Sequence, residues 1–216
     1  MRKFQRLAEP EFLTAKWEEW GLGWEQRRAA NSGAQFHWHE VAGEPVNQKL
    51  LPLLKAQTQD HCSFCDIFPL SPPSIDTIEH FRPKARFPRD AYRWGNLYFC
   101  CMYCQQKSDN FDEAALQPDA VDYEFDRYFR WDYTLGTIEV NERASLEDQQ
   151  RASVTIELYR LNHGHPSFRK RELRKRAQGR SDPLDDFAYR NYVDGPTAPA
   201  STLPSRGREE RNEGGC

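Results

Sequence analysis

The chain has no run approaching the roughly 18 consecutive apolar residues of a membrane-spanning helix. Its first residues, Met1-Arg2-Lys3-Phe4-Gln5-Arg6, do not open the apolar stretch of a secretory signal. It lacks an excess of either charge: 30 Lys and Arg stand against 33 Asp and Glu, for a net charge of −3. Charge alone therefore neither demands nor excludes a polyanionic partner, and its distribution matters more than its sum. No segment recurs at a solenoid or propeller period. The absences leave a cytoplasmic chain as the expectation. In that compartment thiols stay reduced, so six cysteines are better explained by metal binding than by disulfides.

At 216 residues the chain has room for one body of ordinary size with appendages. Hydrophobic residues make up only 38%, yet 13 Phe, 9 Tyr and 6 Trp supply bulky core material. Residues 1–60 read as a helical segment, because Phe12, Trp17, Trp20 and Trp24 recur at helical spacing and Leu50, Leu51, Leu53 and Leu54 form a second apolar stretch. Residues 61–181 read as the core. In it, Phe129-Arg130-Trp131 and Thr137-Ile138-Glu139-Val140 alternate around Leu135-Gly136, which predicts a β-hairpin. Ser145 with Asp148 three residues on resembles a capping box and opens a helix to about Asn162, with Val154, Leu158 and Leu161 on one face. Residues 182–216 are rich in Pro, Gly, Ser and Arg and read as a tail that cannot order itself. The fold class expected is α+β.

Cys62-x2-Cys65 and Cys101-x2-Cys104 are two pairs of the same spacing. A CxxC turn aims two sulfurs at one ion, and two such knuckles close a tetrahedral zinc site. Cys100 is wrongly spaced from Cys104 to replace Cys101 and reads as a buried thiol, while Cys216 reads as a free thiol in the tail. His61 abuts the first knuckle and is a lesser candidate ligand. The insert between the knuckles carries Glu79-His80, and the knuckles would hold it at both ends.

The segments Thr77-Ile78-Glu79-His80-Phe81-Arg82-Pro83-Lys84, Trp94-Gly95-Asn96-Leu97 and Cys101-Met102-Tyr103-Cys104 together resemble the HNH endonucleases. Within them the chain is similar to the PtuB-like nucleases of Septu and retron anti-phage systems, whose pattern runs CxYC, IEHFxPK, WxNL, CxxCNxxK. The resemblance extends from Met1 to about Arg169. It implies a zinc-stabilised ββα-metal core, endonuclease activity, a catalytic Mg²⁺ or Mn²⁺ and an ABC-type ATPase partner (PtuA-like). Carried over residue by residue, Glu79 would be a ligand of the catalytic ion. His80 would be the general base, and Asn96 would orient His80 through a backbone hydrogen bond. Gln105 stands where the family has Asn, and Lys107 falls one residue earlier than the family lysine, so Gln105 and Asp109 both remain candidates for the second ligand.

The residue types suit this chemistry independently. An imidazole can take a proton from water near neutral pH, and a carboxylate-bound dication can neutralise phosphate charge. Successive strand residues face opposite ways, so Glu79 and His80 serve one site only at a strand end or bend. Arg82, Lys84, Arg86 and Lys107 are the candidate nucleic-acid contacts, with Arg89 and Arg93 adding to the charge of the insert. A second basic run, Arg169-Lys170-Arg171 and Arg174-Lys175-Arg176, follows His165-Pro166 on a predicted helix. His37, His39, His163 and His165 lie outside the motif and read as structural or surface residues. The rival expectation is a zinc-dependent nucleic-acid-binding or adaptor module whose HNH site has decayed.

Overall fold

The structure, a computed structural model, describes residues 1–68, 76–163, 165–179 and 181–195. Its helices and small two-stranded sheets make an α+β protein. After an extended start come α1 (Glu11–Thr14) and α2 (Trp17–Ala30), then a short ribbon of β1 (Glu40–Val41) and β2 (Glu44–Pro45), and α3 (Val46–Ala56). The central hairpin is β3 (Thr77–His80) with β4 (Leu97–Cys100), followed at once by the one-turn helix α4 (Met102–Gln105). The remainder is α5 (Phe125–Tyr128), the hairpin β5 (Phe129–Asp132) and β6 (Thr137–Val140), α6 (Leu146–Leu158), α7 (Pro166–Gln178) and α8 (Arg190–Val193).

Strand β4 explains the layout. All four of its residues are buried, and they alternate between two cores. Leu97 and Phe99 face a core built with Trp20 and Trp24 of α2 and Val46, Leu50 and Leu54 of α3. Tyr98 and Cys100 face the other, which holds the cysteine pairs, Phe64, Tyr159 and Phe129. The hairpin is thus a partition: α2 and α3 pack on one side of it, whereas Met1 and Phe4 join the other core, so the helical reading of residues 1–60 holds for its three helices and not for the extended start or the β1–β2 ribbon. Antiparallel pairing sets Ile78 against Phe99, Glu79 against Tyr98 and His80 against Leu97.

Helix α2 lies close to a tight 3₁₀ turn at Pro88–Tyr92, and Gly21 makes that approach possible: a Cβ there would lie 2.3 Å from the Arg89 carbonyl oxygen. The expected hairpin forms in the register Phe129 to Val140 and Trp131 to Ile138. The expected helix runs from Leu146 to Leu158, with the Ser145 hydroxyl accepting from the Asp148 N–H at 3.1 Å.

The tail expectation needs correction for residues 182–195. Phe187, Ala188, Tyr189, Tyr192 and Val193 form a small buried cluster, and Arg190 makes a buried ion pair with Asp66 at 2.7 Å while also reaching Asp185, Gln59 and the Thr58 carbonyl. Three aromatics in six residues are enough to anchor this stretch; averaging it with the polar sequence beyond masked the signal. Residues 196–216, including Cys216, lie outside the described residues.

Candidate metal centre and catalytic cavity

The four knuckle cysteines are buried, and their sulfurs all lie within 4.8 Å of one another. Tetrahedral zinc at about 2.3 Å from each sulfur needs sulfur separations of about 3.8 Å, and Cys65 Sγ is 3.6 Å from Cys101 Sγ. The set could therefore hold one structural zinc ion, and it is the one group of three or more His, Cys, Asp or Glu donors this close among the described residues. Backbone bonds prepare it. Asp66 N–H donates to Cys62 O at 2.9 Å, Ser63 N–H ties the first knuckle to Phe99 O at 3.0 Å, and Cys101 N–H points at Cys62 Sγ at 3.4 Å. Burial pushes the Cys65 thiol well above the usual range, and Cys101 and Cys104 add to the shift, because thiolates cannot crowd in a dry core without a cation. Cys100 is turned to the Cys101 carbonyl. Both ring nitrogens of His61 face carbonyls, of Gln59 and Phe187, so it has no free nitrogen to offer as a ligand.

A cavity of about 350 Å³ opens beside the second knuckle, lined by Ile78, Glu79, His80, Pro83, Lys84, Gln105, Ser108 and Asp109. Four separate stretches of sequence reading thus meet in one place. His80 is the last residue of β3, so the strand-end condition for sharing a site with Glu79 is met. The chain turns there because Asn96 staples it: its Oδ1 accepts from Arg82 N–H at 2.7 Å and its Nδ2 donates to Arg82 O at 3.0 Å and Asp90 O at 2.9 Å.

Asn96 does not itself bond His80. It fixes the turn whose next carbonyl, Ala91 O, lies 3.0 Å from His80 Nε2. A carbonyl can only accept, so Nε2 carries the proton and Nδ1 keeps the lone pair. The ring is stacked on Trp38 with centroids 5.6 Å apart and meets the edge of Phe36 at 5.5 Å. Burial, followed by the charge of Lys84, pushes the imidazolium down to about 3, so His80 is neutral at physiological pH.

Lys107 corrects an expectation. Read as a nucleic-acid contact, it is instead buried and ion-paired, with Nζ 2.7 Å from Glu79 Oε1 and 3.0 Å from the His80 carbonyl; the side chains of Lys107 and Glu79 are 0% and 7% exposed. The turn after α4 sends the lysine stem inward, where its ammonium compensates the carboxylate. Burial still raises Glu79 to about 7, against the opposing pull of Lys107 and Lys84. The other candidate contacts are accessible. Lys84 lines the cavity, Arg86 is exposed beside the Phe111 carbonyl, and Arg82 is half-buried, reaching Glu113 at 3.2 Å and Asp90 at 3.6 Å.

Helix α4 ends at Gln105, so Gln105 and Asp109 do not share a helical face. Asp109 reaches the cavity through a turn in which Ser108 adopts a left-handed backbone with φ 52°. Gln105 Nε2 points to Ile78 O at 3.4 Å, leaving its amide oxygen free. Two carboxylates, an amide oxygen and an imidazole nitrogen are suitable donor types for Mg²⁺ or Mn²⁺. They are spread more widely than the cysteines.

Sequence reasoning missed Lys107's true partner, the Ala91 carbonyl and the Phe36–Trp38 wall. Only the last had a signal, the alternation Phe36-His37-Trp38-His39. His39 stacks on Trp20 at 4.9 Å and His37 meets Arg27 at 2.7 Å, in line with structural or surface roles. Comparison of the sequence with protein-family models finds no match, and comparison with curated proteins finds none.

Proposed function

We propose that this chain is a metal-dependent HNH endonuclease with a ββα-metal core and a structural zinc, cleaving phosphodiester bonds of nucleic acid. The observation that carries the reading is His80, which lines a cavity with Glu79 and Asp109 and whose Nε2 is held by a backbone carbonyl, leaving the Nδ1 lone pair as the proton acceptor. His80 takes the proton from the attacking water. Glu79, with Gln105 or Asp109, holds Mg²⁺ or Mn²⁺, which when bound neutralises the charge building on the phosphate. Lys84 in the cavity lining, with Arg82 and Arg86 of the same segment, draws in the phosphate backbone. The similarity of the motifs to PtuB-like nucleases supports a cytoplasmic role as effector of an anti-phage defence system acting with an ABC-type ATPase.

The test is cleavage of labelled DNA and RNA with Mg²⁺ or Mn²⁺, by the protein alone and in the presence of an ABC-type ATPase of the kind the resemblance implies. His80→Ala removes the proton acceptor and should cut the rate by about 10² or more while zinc content and binding stay unchanged. A wild-type rate would overturn the reading. The wider spread of the cavity donors favours a second reading, a zinc-dependent nucleic-acid-binding or adaptor module, which predicts binding with no cleavage under any condition.

A further inference from the structure

Helix α7 carries six cations, Arg169, Lys170, Arg171, Arg174, Lys175 and Arg176, against one acid, Glu172. They do not all serve one purpose. Arg169 is buried and holds the Gly136 and Leu161 carbonyls, which removes it from any surface role. Glu172 is buried and paired with Lys175 at 2.6 Å, so the helix presents almost no negative charge to solvent. Lys170 is half-buried, and Arg171 and Arg174 are exposed.

Exposed apolar groups occur on α7 itself and on the neighbouring second knuckle. Met102, Tyr103 and Phe168 are each 39% exposed, a high value for residues of their size. Met102 and Tyr103 sit at the tip of the second cysteine knuckle. The Tyr103 ring meets His165 edge-on at 5.8 Å, and His165, Phe168 and Arg171 then follow at three-residue spacing along α7. The Arg171 guanidinium lies 5.0 Å from the Phe168 ring centroid. An aromatic contact therefore joins the knuckle to the start of α7, and a ring and a cation lie together farther along the helix. On the other side of Tyr103, two residues along α4, Gln105 enters the cavity of Glu79 and His80.

We propose that this ridge is the track of an unpaired nucleic-acid strand leading to the cavity, with Tyr103 and Phe168 stacking bases and Lys170, Arg171 and Arg174 contacting phosphates. A helix of 13 residues is about 20 Å long, enough for several nucleotides. Charge complementarity selects a polyanion, and the exposed rings select a single strand, because the bases of a duplex are already stacked on each other. The proposal deepens the nuclease reading by naming its substrate form and rests on that reading only for the end of the track.

The experiment is fluorescence anisotropy of a labelled 20-nucleotide single strand and the matching duplex, without added Mg²⁺ or Mn²⁺, over a salt series. Neutralising three phosphate contacts in Lys170→Gln/Arg171→Gln/Arg174→Gln should flatten the log–log salt dependence by about 2, at roughly 0.7 per phosphate for a single strand. Tyr103→Ala/Phe168→Ala should weaken single-strand binding at least ~5-fold and leave duplex binding nearly unchanged. Zinc content is measured on each variant, and Val121→Ala, at a side chain 95% exposed and outside α4 and α7, is the folded control expected to bind as wild type. Tighter duplex binding, or both variants binding like wild type, would overturn the track. Binding as expected with no cleavage by the unaltered protein would leave the track standing and remove the nuclease reading.

Discussion

Replacing Lys107 by Met keeps the length of the side chain and removes only its charge. The wild-type ammonium lies 2.7 Å from Glu79 Oε1 and 3.0 Å from the His80 carbonyl, in a place where the lysine side chain is 0% exposed. Removing one member of such a pair strands the other, and stranded buried charges cost about 3–5 kcal/mol. The lower end applies here, because Glu79 is already held near 7 by burial and can take up a proton. For a chain of this size 1 kcal/mol moves Tm by about 2–4 °C, so Lys107→Met should melt roughly 6–12 °C early. Glu79→Gln should be destabilising as well, since it leaves the ammonium without its anion. The double variant Lys107→Met/Glu79→Gln buries two neutral groups of matching shape and should recover most of the loss, with a coupling of about 2 kcal/mol or more. Denaturant titration of zinc-loaded protein supplies all four corners of the cycle. Additive single effects would refute the pairing. So would a Lys107→Met protein of wild-type stability that has lost nucleic-acid affinity and salt dependence, the signature of a surface phosphate contact.

Other parts of the structure make separate demands. Gly21→Ala puts a Cβ against the Arg89 carbonyl at a nominal 2.3 Å, so α2 or the 88–92 turn must shift; stability should fall by about 1–3 kcal/mol, and because Ala91 in that turn holds His80, cleavage should fall further than stability explains. Cys62→Ser and Cys104→Ser should each lose zinc by metal analysis and express poorly, since a structural zinc contributes on the order of 10 kcal/mol to folding. Truncation after residue 195 should leave zinc content intact, whereas truncation after residue 181 removes the Arg190 partner of Asp66 beside the first knuckle and should lower stability by about 3 kcal/mol or more. Ser145→Ala should lower stability by about 0.5–2 kcal/mol through loss of the α6 cap.

The parts that could be read from the sequence were those with a local period or a fixed spacing. The β5–β6 hairpin, the Ser145 cap and each CxxC pair announce themselves within a few residues, because one turn, one cap or one tight knuckle dictates the local pattern. Glu79, His80, Gln105 and Asp109 line one cavity, and Asp109 reaches it beyond the end of α4, through a turn with a left-handed Ser108 that no local pattern marks. Nothing local marks Lys107. Its two neighbours Gln106 and Ser108 are exposed, and a lysine in a polar run reads as surface until the fold brings a buried carboxylate beneath it.

The order of the 182–195 stretch is likewise invisible to local composition, and it bears directly on the site. Disorder by composition is an average, and an average over 182–216 dilutes Phe187, Tyr189 and Tyr192 with the polar residues that follow. What anchors this stretch is long-range: Asp66 follows Cys65 of the first knuckle, and Arg190 lies more than a hundred residues away in sequence. Through this pair the first knuckle, α8 and the small aromatic cluster become one unit, as Tyr189 N–H to Asp66 O at 2.7 Å and the Tyr189 hydroxyl to His165 Nδ1 at 2.9 Å show. His165 begins α7, the helix of the proposed strand track, and its ring meets Tyr103 on the second knuckle. The C-terminal stretch therefore connects both knuckles to the basic helix. Any loss of the Arg190–Asp66 pair should disturb the track and the cysteine site together, although neither contains Arg190.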